Sequence, residues 1–295
     1  MRRIARCLRI FFPPKVAALL GIGGRKSKIQ NIRQHISKLL GIRDIETWMD
    51  DPLFPEFDFH FRASEHQKIV DPYRKGWYAS VRALGAKLPE PKAVFSRNAL
   101  EELASEMHKY TLEDDGIPNF LLRLQDEAGI KIIVFDHFIK TRIDGACFLS
   151  DAGCPVVVIT QRLKRVDYFW FTLAHELAHV ALHLNRQKNA IIDGGLDSKD
   201  HGTSDVNQIE DEANALASTW LHTQSLPIYH GPSISQIKSE ADQRHIGTAI
   251  LIGALRHKEL VPYHLHAGHV ISYDPKLLDP WRVEISQLVL QPVCE

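Results

Sequence analysis

The sequence predicts an α+β fold: a small mixed or antiparallel sheet packed on two long helices, preceded by a small helical N-terminal region. Three observations carry this. Short apolar runs at 131–135, 143–149 and 155–160 have strand length and β-branched content. Two longer stretches, about 167–185 and 209–222, repeat apolar residues at helical spacing. Before residue 95, helical periodicity alternates with Pro and Gly breakers.

In chain order, residues 28–41 read as a helix stopped at Gly41, a helix C-cap residue. Residues 51–62, with Pro52 and Pro55 among aromatics, read as a linker or an irregular docking segment. A second helical stretch at 65–87 is interrupted at Pro72, and Pro89 and Pro91 mark a boundary. This divides the chain into a basic helical region (1–95), a main domain (96–270) and a C-terminal tail (271–295). Asn98 is expected to cap a helix through about Tyr110 with Leu100, Leu103 and Met107 on one face, and a further helix covers 118–128. Ser150-Asp151-Ala152-Gly153 signals a hairpin between the second and third strands. One of those two strands is expected to form an open edge that can hold a peptide by backbone pairing. The alternative is that both are core strands.

With 44% hydrophobic and 24% charged residues, the chain has the composition of an ordinary globular protein. Cys7, Cys147, Cys154 and Cys294 form no C-x-x-C pair and read as reduced thiols of a cytoplasmic protein. No apolar run approaches the roughly 18 residues that span a bilayer, so no membrane association is expected. The zero net charge hides an asymmetry. Residues 1–43 hold eleven Lys or Arg and no acid, whereas the rest holds 25 basic and 36 acidic residues. Such an arm fits a nucleic-acid contact, docking on the acidic body of the same chain, or an organellar targeting segment.

The most informative stretch is His175-Glu176-Leu177-Ala178-His179. Two histidines at i and i+4 project from one helix face and can share a metal ion, while the glutamate lies about 100° round the helix, within reach of a water on that ion. At this histidine content the bare pattern arises by chance roughly 0.05 times per chain, so its surroundings matter. The flanks are apolar and alanine-rich and read as one buried helix capped by Asp167. Polar side chains buried there without partners would be costly, which favours a metal site over a structural helix.

A catalytic zinc needs a third protein ligand and keeps one position open for water. In Ile209-Glu210-Asp211-Glu212-Ala213-Asn214, residues Glu210, Ala213, Asn214 and Ala217 share one helix face. Glu210 can therefore bind the metal, and Asn214 can hydrogen-bond another ligand from behind. Glu212 points to roughly the opposite side, and a solvated acidic helix start is the plain alternative for the whole patch. His183, one turn beyond His179, reads as a support for the ligands or as a surface histidine.

The run from Phe171 to His183, followed by Glu210-x-Glu-Ala-Asn-x-Leu-Ala, resembles the ImmA/IrrE family of zinc metallopeptidases. The likeness extends through Ile143-Asp-Gly-Ala and Pro155-Val-Val-Val-Ile and covers roughly residues 98–265. It implies a gluzincin-like domain with one zinc per chain that cleaves a helix-turn-helix repressor or an antitoxin, releasing stress-response or mobile-element genes. The mechanism expected is zinc-assisted peptide hydrolysis: His175, His179 and Glu210 hold the metal and Glu176 is the general base. Tyr263, His264 and His266 have the chemistry of oxyanion donors, although a solvated C-terminal segment explains them better. Residues 186–205, with Asp193, Asp197, Asp200 and His201, read as a polar flap that could also bind a second cation. Two rival functions remain at this point: a DNA-binding or antitoxin-type regulator without proteolysis, and a zinc sensor whose site is closed by His183 or Glu212.

Overall fold

The computed structural model describes residues 12–20, 37, 60–61, 72–139, 141–184, 190–192, 204–226 and 231–288. The basic arm (apart from 12–20 and 37), the 28–41 helix apart from residue 37, most of the 51–62 linker, and Asp193, Asp197, Asp200 and His201 lie outside them.

The described helices are α1 (Pro14–Leu19), α2 (Pro72–Gly85), α3 (Arg97–Ser105), α4 (Met107–Tyr110), α5 (Gly116–Asp126), α6 (Val166–Leu182), α7 (Ser204–Trp220), α8 (Ile234–Arg244) and α9 (Thr248–His257). The strands are β1 (His60–Phe61), β2 (Lys131–Phe135), β3 (Gly145–Leu149), β4 (Pro155–Thr160), β5 (Ala190–Ile192) and β6 (Arg282–Val283). Together they make the expected α+β fold. The sheet is mixed, in the order β1-β5-β3-β4-β2-β6, with β3 antiparallel to β4 and β5 and the other pairs parallel. No helix among the described residues is long and apolar enough to cross a membrane.

Strand alternation builds two cores. Ile132, Val134, Cys147, Val157 and Ile159 face the layer that contains α6, α7 and α9. Ile133, Phe135, Ala146, Phe148, Val156 and Val158 face the opposite side, where Trp77, Tyr78, Val81 and Leu84 of α2 cover them. The α2 helix is thus one wall of the same sandwich, and the Pro89–Pro91 region is a crossing point between layers. Buried Lys131 ties the layers there, donating to the Gly85 and Leu88 carbonyls and to Glu90.

Several boundaries differ from the sequence reading for local reasons. Ser96, not Asn98, caps α3, its hydroxyl accepting from the Ala99 amide. Pro72 opens α2, and α5 begins two residues before Pro118, because proline in a first turn removes no needed donor. The Ile143 carbonyl is taken by the Thr160 hydroxyl, and the β3 ladder starts only at Gly145. The hairpin forms as expected, with Ser150 N donating to the Cys154 carbonyl at 2.8 Å and Gly153 at φ +82°.

Two larger expectations are corrected. Both β3 and β4 are internal strands, so neither is the open edge: β5, from within the segment read as a flap, pairs along β3, and β1 pairs beyond it. Residues 271–288 do not form a tail. They place β6 beside β2, bridge Ser272 to Arg165, and bury Tyr273, Leu278, Trp281, Val283 and Leu288.

Candidate metal centre

The α6 helix is buried on nearly every side, because its apolar residues meet the sheet, α7 and α9, and its Phe169 and Trp170 pack on Tyr273 and Phe120. It starts at Val166 after Arg165, so Asp167 is not its cap. Asp167 lies in the first turn, where a carboxylate favours the helix dipole, and is held by the Arg165 guanidinium. Just upstream, Arg162 grips the buried Asp144 through Nε at 2.5 Å and Nη2 at 2.9 Å and also contacts the Tyr168 hydroxyl. These links clamp the entry of β3 to the start of α6.

On this scaffold His175, His179 and Glu210 converge. Their relative exposures are 2%, 0% and 1%, which puts three ionisable groups wholly inside the protein. His175 Nε2 and His179 Nε2 stand 2.9 Å apart, and Glu210 places Oε2 3.3 Å from the first and Oε1 3.5 Å from the second. Ligand atoms around one tetrahedral zinc stand about 3.3 Å from each other, so the three donors fit a single ion. Glu210 Oε2 is a buried carboxylate oxygen that faces His175 Nε2 and whose chemistry suits a cation.

The electrostatics agree. Burial, followed by the neighbouring His175, pushes the His179 pKa down to about 4, so its imidazole is neutral at ordinary pH and keeps a lone pair for a metal. Burial alone would raise the Glu210 carboxyl, but hydrogen bonds and charge from His175 and His179 outweigh it and hold the group well below the usual range. A buried carboxylate facing two imidazole nitrogens is a donor set whose chemistry suits a cation.

Both histidines are braced from behind. His175 Nδ1 lies 3.0 Å from Asn214 Oδ1, one turn along α7 from Glu210, as the shared helix face predicts. His179 Nδ1 lies 3.0 Å from His183 Nδ1, and His183 Nε2 lies 3.0 Å from Glu212 Oε2. Glu212 therefore does not point away from the centre; its side chain bends round α7 to His183. With both ring nitrogens so engaged, His183 is not poised as a fourth ligand. Among the described residues, His175, His179 and Glu210 are the one group able to hold a metal.

Glu176 is fully buried and lies against β3. A Cβ built on Gly145 would come within 2.3 Å of Glu176 Oε1, so the glycine exists as space for this carboxylate. Two residues along the same strand face, burial and the Glu176 charge push the Cys147 thiol well up, keeping it protonated and able to donate to Glu176. Neither role is legible in the sequence alone, where Gly145 stands within Ile143-Asp-Gly-Ala and Cys147 reads as a reduced thiol. Period-2 alternation in β3 is the signal that joins them. The other candidates make contacts elsewhere. Tyr263 is 58% exposed beside Arg256, His264 is exposed, and His266 Nε2 meets the Pro232 carbonyl.

Residues 125–222 match the family model of the IrrE N-terminal-like domain, a span that runs from the end of α5 past α7 and contains the three candidate ligands, Glu176 and the residues that support them. No curated protein matches the chain.

Proposed function

Because residues 125–222 make the chain a member of the ImmA/IrrE family of metallopeptidases, we propose that it is a cytoplasmic zinc-dependent endopeptidase. Its substrate in this reading is a regulatory protein, a helix-turn-helix repressor or an antitoxin, whose cleavage releases stress-response or mobile-element genes. The observation that carries the peptidase reading is the convergence of three buried ligand atoms beside a buried glutamate, with His183 turned away from the fourth position.

A zinc ion held by His175, His179 and Glu210 would supply a Lewis acid that polarises the peptide carbonyl and acidifies an attacking water. The protein's part is positional. Asn214 and His183 hold the two imidazoles with Nε2 facing inward, and α7 holds Glu210 opposite them. Glu176 takes the proton from the attacking water and delivers it to the departing amine, and Gly145 and Cys147 hold its carboxylate on the β3 side of the centre.

The test uses the Glu176→Gln variant as a trap. Purified full-length chain is expected to carry one zinc, to retain it in Glu176→Gln and to lose it in His179→Ala. A protein that co-purifies with Glu176→Gln should be cut by the wild type and left intact by the variant. Cleavage by Glu176→Gln at the wild-type rate refutes the mechanism. If no protein is cut, yet the chain binds DNA with an affinity that falls steeply with salt, the domain is a binding module instead.

A further inference from the structure

The line of hydrogen bonds that braces His179 does not end at His183 but continues to Glu212 on α7. We propose that His183 and Glu212 are a positioning pair that sets the tautomer of His179 and thereby the zinc affinity of the site. The proposal rests on the reading of His175, His179 and Glu210 as the ligands.

The direction of each hydrogen bond follows from the geometry. His179 Nε2 faces His175 Nε2 and Glu210, so it must keep its lone pair to bind a metal. Its proton then sits on Nδ1 and is donated across 3.0 Å to His183 Nδ1. That makes His183 Nδ1 an acceptor and puts the His183 proton on Nε2, which donates across 3.0 Å to Glu212 Oε2. Gln208, one turn earlier on α7, donates to the other carboxylate oxygen at 2.8 Å and orients it. A carboxylate can only accept, so Glu212 polarises the whole line toward the metal-ready form of His179. Without this acceptor the His183 proton can sit on Nδ1 instead. Two N–H groups would then face each other, a conflict relieved by moving the His179 proton to Nε2, where it blocks the ligand.

Glu212 is half exposed and on its own would count as a solvated surface acid of small effect. The links it controls are not exposed: the His183 side chain is 8% accessible and the His179 side chain 0%. There, a hydrogen bond of the wrong polarity has no water to replace it.

The experiment measures zinc affinity of the full chain by competition with a chromophoric chelator, with no substrate present. Glu212→Ala is expected to weaken zinc binding about 10-fold, at the low end of the 10–100-fold range for such outer partners. Glu212→Gln, whose amide oxygen still accepts from His183, should recover most of that loss. In a His183→Ala background, adding Glu212→Ala should leave the affinity unchanged within about 2-fold, because the line is already cut. The proposal is overturned if Glu212→Ala binds zinc as the wild type does. It is equally overturned if the loss recurs in full in the His183→Ala background, which would mark Glu212 as a mere attracting charge. If the wild type takes up no zinc, the ligand assignment itself falls, a result distinct from wild-type binding that ignores Glu212.

Discussion

Replacing Gly145 by alanine tests the centre with a single added methyl group. The new Cβ would lie 2.3 Å from Glu176 Oε1, 2.7 Å from Cγ and 2.8 Å from Cδ, where ordinary contact begins at 3.4 Å. Because β3 is paired on both sides, the strand cannot retreat, and the carboxylate must move by about 1 Å. A displacement of that size in a catalytic group costs about 100-fold in rate, equivalent to about 3 kcal/mol of transition-state stabilisation. The fold should survive, since the colliding atoms belong to the end of one side chain, and overpacking of this kind costs about 1–3 kcal/mol. The assay compares cleavage of the protein trapped by Glu176→Gln, zinc content by elemental analysis, and thermal melting. The expected outcome is kcat/KM lowered about 100-fold with one zinc retained and a folded melting profile. Cleavage by Gly145→Ala at the wild-type rate would refute the placement of Glu176. Loss of zinc would show that the methyl disturbs the ligands and not the base.

Two further outcomes are expected. In the metal-free protein the folded pKa of His179, about 4, lies below the 6.5 of an ordinary histidine. The unfolded chain therefore takes up a proton that the folded chain refuses, and stability, full above about pH 6.5, should fall by about 3 kcal/mol as pH drops toward 4. Glu210, also held low, begins to remove stability as pH falls through the ordinary carboxylate range near 4.5, at the acid end of that window. Melting of chelator-treated protein between pH 4 and 7.5 should show the decline, and a His179→Gln variant should flatten it; a flat wild-type profile contradicts the burial argument. Gly253→Ala would place a methyl group 2.5 Å from Asp167 Oδ2 and 2.8 Å from Asp167 Cβ, pressing α9 off the start of α6. It should destabilise the protein by about 1–3 kcal/mol, lowering the melting temperature by several degrees while zinc binding persists.

Much of the centre is legible in the sequence because helices make it so. A fixed 3.6-residue period places His175 with His179, and Glu210 with Asn214, on common faces without knowledge of anything distant. The same regularity, with strand alternation, places β2 and β4 at their observed bounds. Periodicity fails where a side chain is long enough to leave its own face. Glu212 is assigned to the far side of α7 by angle alone, yet its reach brings it to His183.

Tertiary structure decided what depends on neighbours remote in sequence. Only the sheet order shows that β5 covers β3 and removes the expected open edge, since backbone pairing leaves no local mark in either strand. Residues 271–288 read as a tail because their apolar residues keep no helical or strand period and are broken by Pro275 and Pro280, but pairing with β2 and burial of Trp281 draw them into the domain. Gly145 is the sharpest case. In the sequence it is a small residue at the start of a strand, and its meaning comes from a carboxylate 31 positions later. Residue type and period determine which groups can carry the chemistry; packing in three dimensions decides where each is held and what room it is given.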